Sequence, residues 1–157
     1  MLVRSLWMIV AFTLLFFACD NTSVFEGKKD FDDRYWVLND PAEFEFDILE
    51  PEKTYNLSVN VRNSSKYQFQ NLYIQYYLED STGRVLSEDL KNIQLFNPIT
   101  GVPVGQGIGD IFDLERLFLE NYSFQNPGKC KVRIDQFMRR DTLPEILSVG
   151  IRVAIVE

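Results

Sequence analysis

The sequence contains no histidine at all. That absence removes every Ser-His-Asp and Cys-His mechanism, and with them the commonest transition-metal ligand. Cysteine is nearly missing too, with only Cys19 and Cys130. Glycine and proline are sparse, at 8 and 6 residues, which excludes collagen-like and low-complexity chains. No apolar run is long enough to cross a hydrocarbon core, which takes about 20 residues. The longest, Leu6 to Ala18, is broken only by Thr13. What is present is 46% hydrophobic residues with 13 Phe, 7 Tyr and 2 Trp in a chain of 157. That suffices for one packed domain and little else. The net charge of -7 argues against a nucleic-acid partner, because phosphates would be repelled.

Arg4 is the only charge before Asp20. A charged start, a short apolar middle and a small residue at its end describe a secretory signal peptide over residues 1–18. The run closes Leu15-Phe16-Phe17-Ala18-Cys19 and turns polar at once with Asp20-Asn21-Thr22-Ser23. This pattern resembles a bacterial lipoprotein signal, cut between Ala18 and Cys19, with Cys19 as the lipid attachment site. An ordinary signal peptide with a chance cysteine is the alternative. A lipidated Cys19 leaves Cys130 as a lone thiol in a strand pattern, where it reads as a small buried hydrophobe. A Cys19–Cys130 disulfide is the competing pairing. No cofactor is expected beyond the covalent lipid. Losing the leader removes one basic residue and no acidic one, so the mature body does not adhere to anionic headgroups by itself. Several acyl chains would supply a stable membrane anchor.

Residues 19–33 are polar, with Lys28, Lys29, Asp30, Asp32 and Asp33 clustered, and read as a lipidated N-terminus and tether. The folded domain is then expected over 34–157. Within it, Ala42, Phe44, Phe46 and Ile48 alternate with Glu43, Glu45 and Asp47. Tyr55, Leu57, Val59 and Val61 repeat the period, as do Leu72 to Leu78, Cys130 to Ile134, and Val149 to Ile155. These are half-buried strands. Weaker strand candidates are Tyr35–Leu38, Val85–Ser87, Asn92–Phe96 and 110–119, the last also compatible with a short helix. All six prolines fall between the clean runs. The pattern predicts an all-β domain, a single antiparallel β-sandwich of jelly-roll or immunoglobulin-like type with about seven to nine strands.

Chemistry-bearing motifs are few. Gly105-Gln106-Gly107-Ile108-Gly109 has neither the spacing nor the strand-helix context of a phosphate loop. Its glycines read as positive-φ or close-approach positions. Adjacent carboxylates such as Glu79 with Asp80, or Glu88 with Asp89, fit a solvated acidic surface better than an acid-base pair. No nucleophile can be given a base partner, so an enzyme is not expected, nor a metal site or a small-molecule substrate. Trp36, Tyr67, Phe69, Tyr73 and Tyr77 are the candidates for an exposed aromatic platform, against the alternative that both faces are covered.

Three stretches carry a resemblance. They are Arg62-Asn63 with 67–73, the loop from Pro98 to Gly109, and Asp135-Gln136-Phe137-Met138-Arg139 with Leu143-Pro144 and Val149-Gly150-Ile151-Arg152. Together with the lipoprotein signal and Trp36 they resemble the gliding-motility lipoprotein family GldH of the Bacteroidetes, over nearly the whole mature chain. The resemblance implies a lipid-anchored protein of the cell envelope, at the outer membrane. It implies a non-catalytic role as adaptor or stabiliser of gliding or type IX secretion machinery through protein contacts. In that phylum Asp80-Ser81-Thr82 and Asp141-Thr142-Leu143 also resemble an O-glycosylation acceptor motif, which points to Ser81 and Thr142. The competing function is a glycan-binding surface lipoprotein of a polysaccharide-uptake system.

Arg62, Asn63, Asn71, Gln136 and Arg139 sit at strand ends in this reading. Each guanidinium is placed to pin a loop carbonyl or carboxylate. Each asparagine suits a turn. Gln136 interrupts an inward series and needs buried hydrogen-bond partners. The alternative is that these residues line a partner-binding patch.

Overall fold

The computed structural model describes residues 22–156. Eleven strands and one 3-10 turn make up the body: β1 (Ser23–Asp30), the turn (Asp32–Arg34), β2 (Tyr35–Val37), β3 (Ala42–Ile48), β4 (Thr54–Ser64), β5 (Asn71–Asp80), β6 (Val85–Gln94), β7 (Gln106–Ile108), β8 (Ile111–Ser123), β9 (Gly128–Gln136), β10 (Thr142–Pro144) and β11 (Ile146–Ile155). They form a five-stranded sheet in the order β1-β11-β4-β8-β7, a four-stranded sheet in the order β3-β9-β5-β6, and a ribbon of β2 with β10. Every named pairing is antiparallel. The period-two runs bury their apolar halves between the two large sheets. Phe44, Phe46 and Ile48 of β3, Leu72 to Leu78 of β5 and Val132 and Ile134 of β9 face Leu57, Val59 and Val61 of β4 and Val149, Ile151 and Val153 of β11. This is the expected antiparallel β-sandwich, with more strands than the seven to nine anticipated. The extra ones are short: β2, β7 and β10 hold three residues each, too few to show a period.

Two expectations change. Residues 23–30 are not tether but the edge strand β1, paired along its length with β11 from Ser23↔Ala154 to Asp30↔Ser148. Phe25 and Gly27 alternate toward the interior while Glu26, Lys28 and Asp30 face water. Only one large apolar side chain, Phe25, faces inward along the strand, while Val24 points out, so its charges dominate the text. Any tether within 19–33 is thereby shortened to the residues before Ser23. The 110–119 stretch is strand throughout, because β8 pairs with β4 from Ser64↔Ile111 to Thr54↔Ser123. Val85–Ser87 and Asn92–Phe96 are largely the two ends of one strand, β6.

The β2–β10 ribbon carries Trp36 opposite Leu143, both fully buried. Trp36 stacks on Phe31 at 5.1 Å between ring centroids, and its indole N–H donates to the Asp40 carbonyl at 3.0 Å.

The registers define two poles. The start of β1, the β3–β4 connection, the end of β8 and the β5–β6 turn lie at one. Asn63 and Ser64, the 95–111 segment, the start of β5 and the end of β9 lie at the other. The eleven residues of β4 run between them, about 35 Å at strand rise.

Candidate functional site

Arg62 and Asn63 are neighbours in sequence but point to opposite faces of β4. Arg62 reaches outward, where its Nε and one terminal nitrogen donate to the two carboxylate oxygens of Asp113 on β8, at 2.7 and 3.0 Å. The pair is bidentate but exposed, so it fixes geometry more than it adds stability. It sits in a polar trough of about 820 Å³ on the outer face of the five-stranded sheet. Small residues, Asn60, Ser148 and Gly150, floor the trough. Glu26 and Lys28 form one wall, Asp113 and Glu115 the other. Gly150 is required there: a Cβ on it would lie 2.6 Å from the Gly27 carbonyl oxygen, where β1 crosses closely.

Asn63 is buried, and its amide donates to the Ser64 carbonyl at 3.1 Å. Ser64 donates its hydroxyl to a carboxylate oxygen of Glu145 at 2.5 Å and accepts from the Lys66 N–H at 3.0 Å. A serine beside a carboxylate invites a nucleophile-base reading. Ser64 is 0% exposed with its hydroxyl fully engaged, so no substrate reaches it. Arg34 lies 3.6 Å from Glu145 and 3.8 Å from Asp110, completing a polar knot at the far pole.

Asn71 donates across to Asn92 of β6 at 2.7 Å, on the outer face of the four-stranded sheet. The backbone carbonyl of Asn71 accepts the Tyr67 hydroxyl at 3.2 Å, and burial holds that phenol above its ordinary range. Gln136 is 1% exposed. Its amide donates to the Arg140 carbonyl at 2.6 Å and its oxygen accepts the Met138 N–H at 3.0 Å, so one side chain ties the 137–140 turn. Arg139 is exposed in that turn at φ 56°, without a hydrogen bond or ion pair to any described residue. The five residues therefore do not converge on one patch. They occupy two outer sheet faces, an interior pocket and a turn. Gln136→Ala strands two backbone partners and is expected to lower stability by about 2–4 kcal/mol, measured by chemical denaturation. A loss below about 0.5 kcal/mol would show that water replaces both bonds.

Ser81 and Thr142 are both exposed, Ser81 in the β5–β6 turn and Thr142 on β10. The turn is held by Asp80, whose carboxylate accepts the Thr82 hydroxyl at 2.6 Å and the Thr82 and Arg84 N–H groups. These bonds, the hydroxyl first, keep Asp80 below the usual carboxylate range. Ala18 and Cys19 lie outside the described residues. Cys130 is a free, buried thiol whose pKa burial raises to about 11, so it is unreactive at neutral pH.

The glycine loop is built on close approach: a Cβ on Gly107 would sit 2.0 Å from the Ile111 carbonyl oxygen. Of the five aromatic candidates, Trp36 and Tyr67 are buried and Phe69 is half-buried. Tyr77 carries the Arg133 guanidinium over its ring at 4.3 Å. Tyr73 is 38% exposed, and Phe137, which the sequence reading passed over, lies beside it through the Phe137 N–H to Tyr73 carbonyl bond. Among the described residues no three His, Cys, Asp or Glu side chains gather as a metal site, and no helix is long and apolar enough to cross a membrane.

The profile of the GldH lipoprotein family matches residues 23–153, from the first residue of β1 almost to the end of β11. The chain belongs to the GldH lipoprotein family. Curated relatives agree with that placement. The "Gliding motility lipoprotein GldH homolog" of Christiangramia forsetii is 29% identical over 95% of this chain and 94% of its own. The "Gliding motility lipoprotein GldH" of Flavobacterium johnsoniae is 29% identical over 98% of each. Among solved structures, the infectious bursal disease virus VP2 subviral particle aligns with 12% identity and a TM-score of 0.38, covering 85% of this chain and 31% of that one. The GldH match starts where the structure places β1, so the strand is part of the family's domain and not an appendage to it.

Proposed function

We propose that this chain is a membrane-anchored, non-catalytic lipoprotein that supports gliding motility as an adaptor or stabiliser of the cell-envelope gliding and type IX secretion machinery. The lipid sits on Cys19, after removal of residues 1–18, and the outer membrane is the site of anchoring. The match to the GldH family across residues 23–153 carries this reading. The geometry is compatible with it. Charged side chains on the outer sheet faces pair across strands, Arg62 with Asp113, Lys129 with Glu45 and Lys131 with Glu43, and in the Ser64–Glu145 contact the serine is fully buried.

A deletion strain complemented with the wild-type or the Cys19→Ser gene provides the test. The variant is expected to lose incorporation of labelled palmitate, to leave the membrane fraction, and to fail to restore spreading on agar and export of type IX cargo. Full restoration by unlipidated protein would remove the anchor from the mechanism. A glycan-binding reading rests on the adjacency of Tyr73 and Phe137 on the outer face of the four-stranded sheet. Retention of a defined oligosaccharide on a glycan array, lost on Tyr73→Ala, would favour it.

A further inference from the structure

The chain is acidic, with a net charge of -7, and its cations are nearly all neutralised in place. Among the described residues every Lys and Arg is ion-paired to a carboxylate except Lys66, Arg116, Arg139 and Arg140. Arg116 turns back to the Glu115 carbonyl at 2.9 Å. The other three gather at the far pole. Arg139 and Arg140 are consecutive, and both are exposed in the turn after β9. Arg140 holds its guanidinium over the Phe69 ring at 5.6 Å. Phe69 in turn meets Tyr67, the neighbour of the exposed Lys66, at 5.5 Å between ring centroids. Acids stand close by in the sequence, but Asp135 is held by Arg133, and Asp141 pairs with neither arginine while its backbone carbonyl accepts the Leu38 N–H.

The turn that carries the two arginines is fixed from below. Gln136 ties the Met138 N–H and the Arg140 carbonyl, and the Met138 sulfur accepts the Tyr73 N–H at 3.1 Å. Arg139 is held in left-handed backbone, which ordinarily suits glycine or asparagine. Phe137, 53% exposed, opens the turn beside Tyr73, 38% exposed, on the outer face of the four-stranded sheet. A phenyl ring, a phenol and two guanidiniums are thus presented together on backbone with little freedom. Binding through them costs little ordering entropy.

The chemistry of these groups decides the occupant. A guanidinium grips a carboxylate through two parallel hydrogen bonds, and no carboxylate of the described residues takes that place here. Phe, Tyr, Met and Arg are the side chains enriched at the centres of protein interfaces. A small ligand fits poorly: the trough and three smaller hollows of about 420, 470 and 600 Å³ are lined by other residues.

We propose that the 137–140 turn, with Tyr73, is a docking contact for a partner protein whose surface sets carboxylates around an apolar recess. Phe137 fills the recess, and Arg139 and Arg140 grip the carboxylates. The proposal rests on the adaptor reading and gives it a contact surface and a partner chemistry.

A photo-reactive benzophenone side chain in place of Phe137, in the full chain and in living cells of a deletion strain, tests this. The expected result is a discrete adduct with one other protein, joined at a peptide that contains Asp or Glu. Arg139→Glu should cut the adduct yield about tenfold or more, and changing the partner's nearest acid to Lys should restore it. A probe at the exposed Glu52, in the β3–β4 connection at the opposite pole, should not give that adduct. Arg139→Glu should leave the thermal midpoint unchanged, since the side chain is exposed and has no polar partner among the described residues. An adduct with lipid or glycan alone, with a second copy alone, or at a peptide without an acid overturns the contact. So does an adduct that Arg139→Glu leaves intact, a failed charge exchange, or no adduct at all. Should gliding require the gene while no such adduct forms, the contact falls and the adaptor reading stands. Should the adduct obey the charge exchange while Arg139→Glu leaves gliding and cargo export untouched, the contact stands and the adaptor role falls.

Discussion

Trp36→Ala is expected to lower the stability of the mature domain by about 3–5 kcal/mol. The residue is 0% exposed, stacks on Phe31 and donates its indole N–H to the Asp40 carbonyl. Truncation removes one of the largest side chains of the core, leaves a cavity between the ribbon and the five-stranded sheet, and orphans a carbonyl. A domain of this size has about 5–15 kcal/mol to lose, so the melting midpoint should fall by about 6–20 °C. Circular dichroism on heating measures it. Trp36→Phe keeps most of the buried surface and loses the hydrogen bond, so it should lie between alanine and wild type. The sequence holds two tryptophans, Trp7 and Trp36, so in the chain proposed to begin at Cys19 Trp36 would stand alone, and its emission should be blue-shifted in the native state and shift red on unfolding. A wild-type midpoint for Trp36→Ala would mean that the β2–β10 ribbon does not contribute to the cooperative core.

Gly150→Val is the second large effect, and it acts on one strand. At this position on β11 a Cβ would lie 2.6 Å from the Gly27 carbonyl oxygen and 3.2 Å from the Lys28 Cβ. The oxygen belongs to a backbone and cannot rotate away. Relief requires β1 to move off its register, breaking the ladder from Ser23↔Ala154 to Asp30↔Ser148 and uncovering Phe25. Overpacking of this kind costs about 1–3 kcal/mol. Its distinctive signature is local. Amide exchange and proteolysis should accelerate in residues 23–30 and their partners on β11, while β3, β5 and β9 keep their protection. Unchanged protection of β1 would show that the sheet absorbs the methyl groups by another route. A detached β1 would add eight residues to the segment that precedes the folded domain.

Much of this architecture is legible in the sequence, and the parts that are not have identifiable causes. β3, β4 and β9 each alternate apolar and polar residues over seven or more positions, and β5 and β11 keep an apolar residue at every second position from Leu72 to Leu78 and from Val149 to Ile155, so a period of two cannot hide at that length. β1 is as regular in space but spends its inward positions on Ser23, Phe25, Gly27 and Lys29. Lys29 keeps its ammonium satisfied at the rim, bonded to the Asp40 carboxylate and the Pro41 carbonyl, a solution no hydropathy pattern announces. Trp36 reads as a platform aromatic because a three-residue strand has no period from which to infer burial.

The site follows the same logic. That Gln136 needs partners is evident from its place in an inward series, and its partners Met138 and Arg140 are close in sequence. That Arg62 meets Asp113, or that Ser64 meets Glu145, depends on pairings made across 51 and 81 positions, which only the folded sheet order reveals. That Arg139 and Arg140 meet no carboxylate of the described residues is likewise a property of the folded surface, since Asp135 and Asp141 flank both in the sequence and Asp135 pairs with Arg133 instead.

The first strand of the domain lies against the last, with Ser23 opposite Ala154. A polypeptide threaded through a translocation channel with its N-terminus leading cannot complete its larger sheet until residue 155 has emerged on the far side. Until then β1 has no partner and Phe25 no cover, so the chain stays pliable for as long as transport needs it to be. Closure of the sheet then coincides with the arrival of the last strand, and the first strand is locked to the body only when the whole domain has emerged.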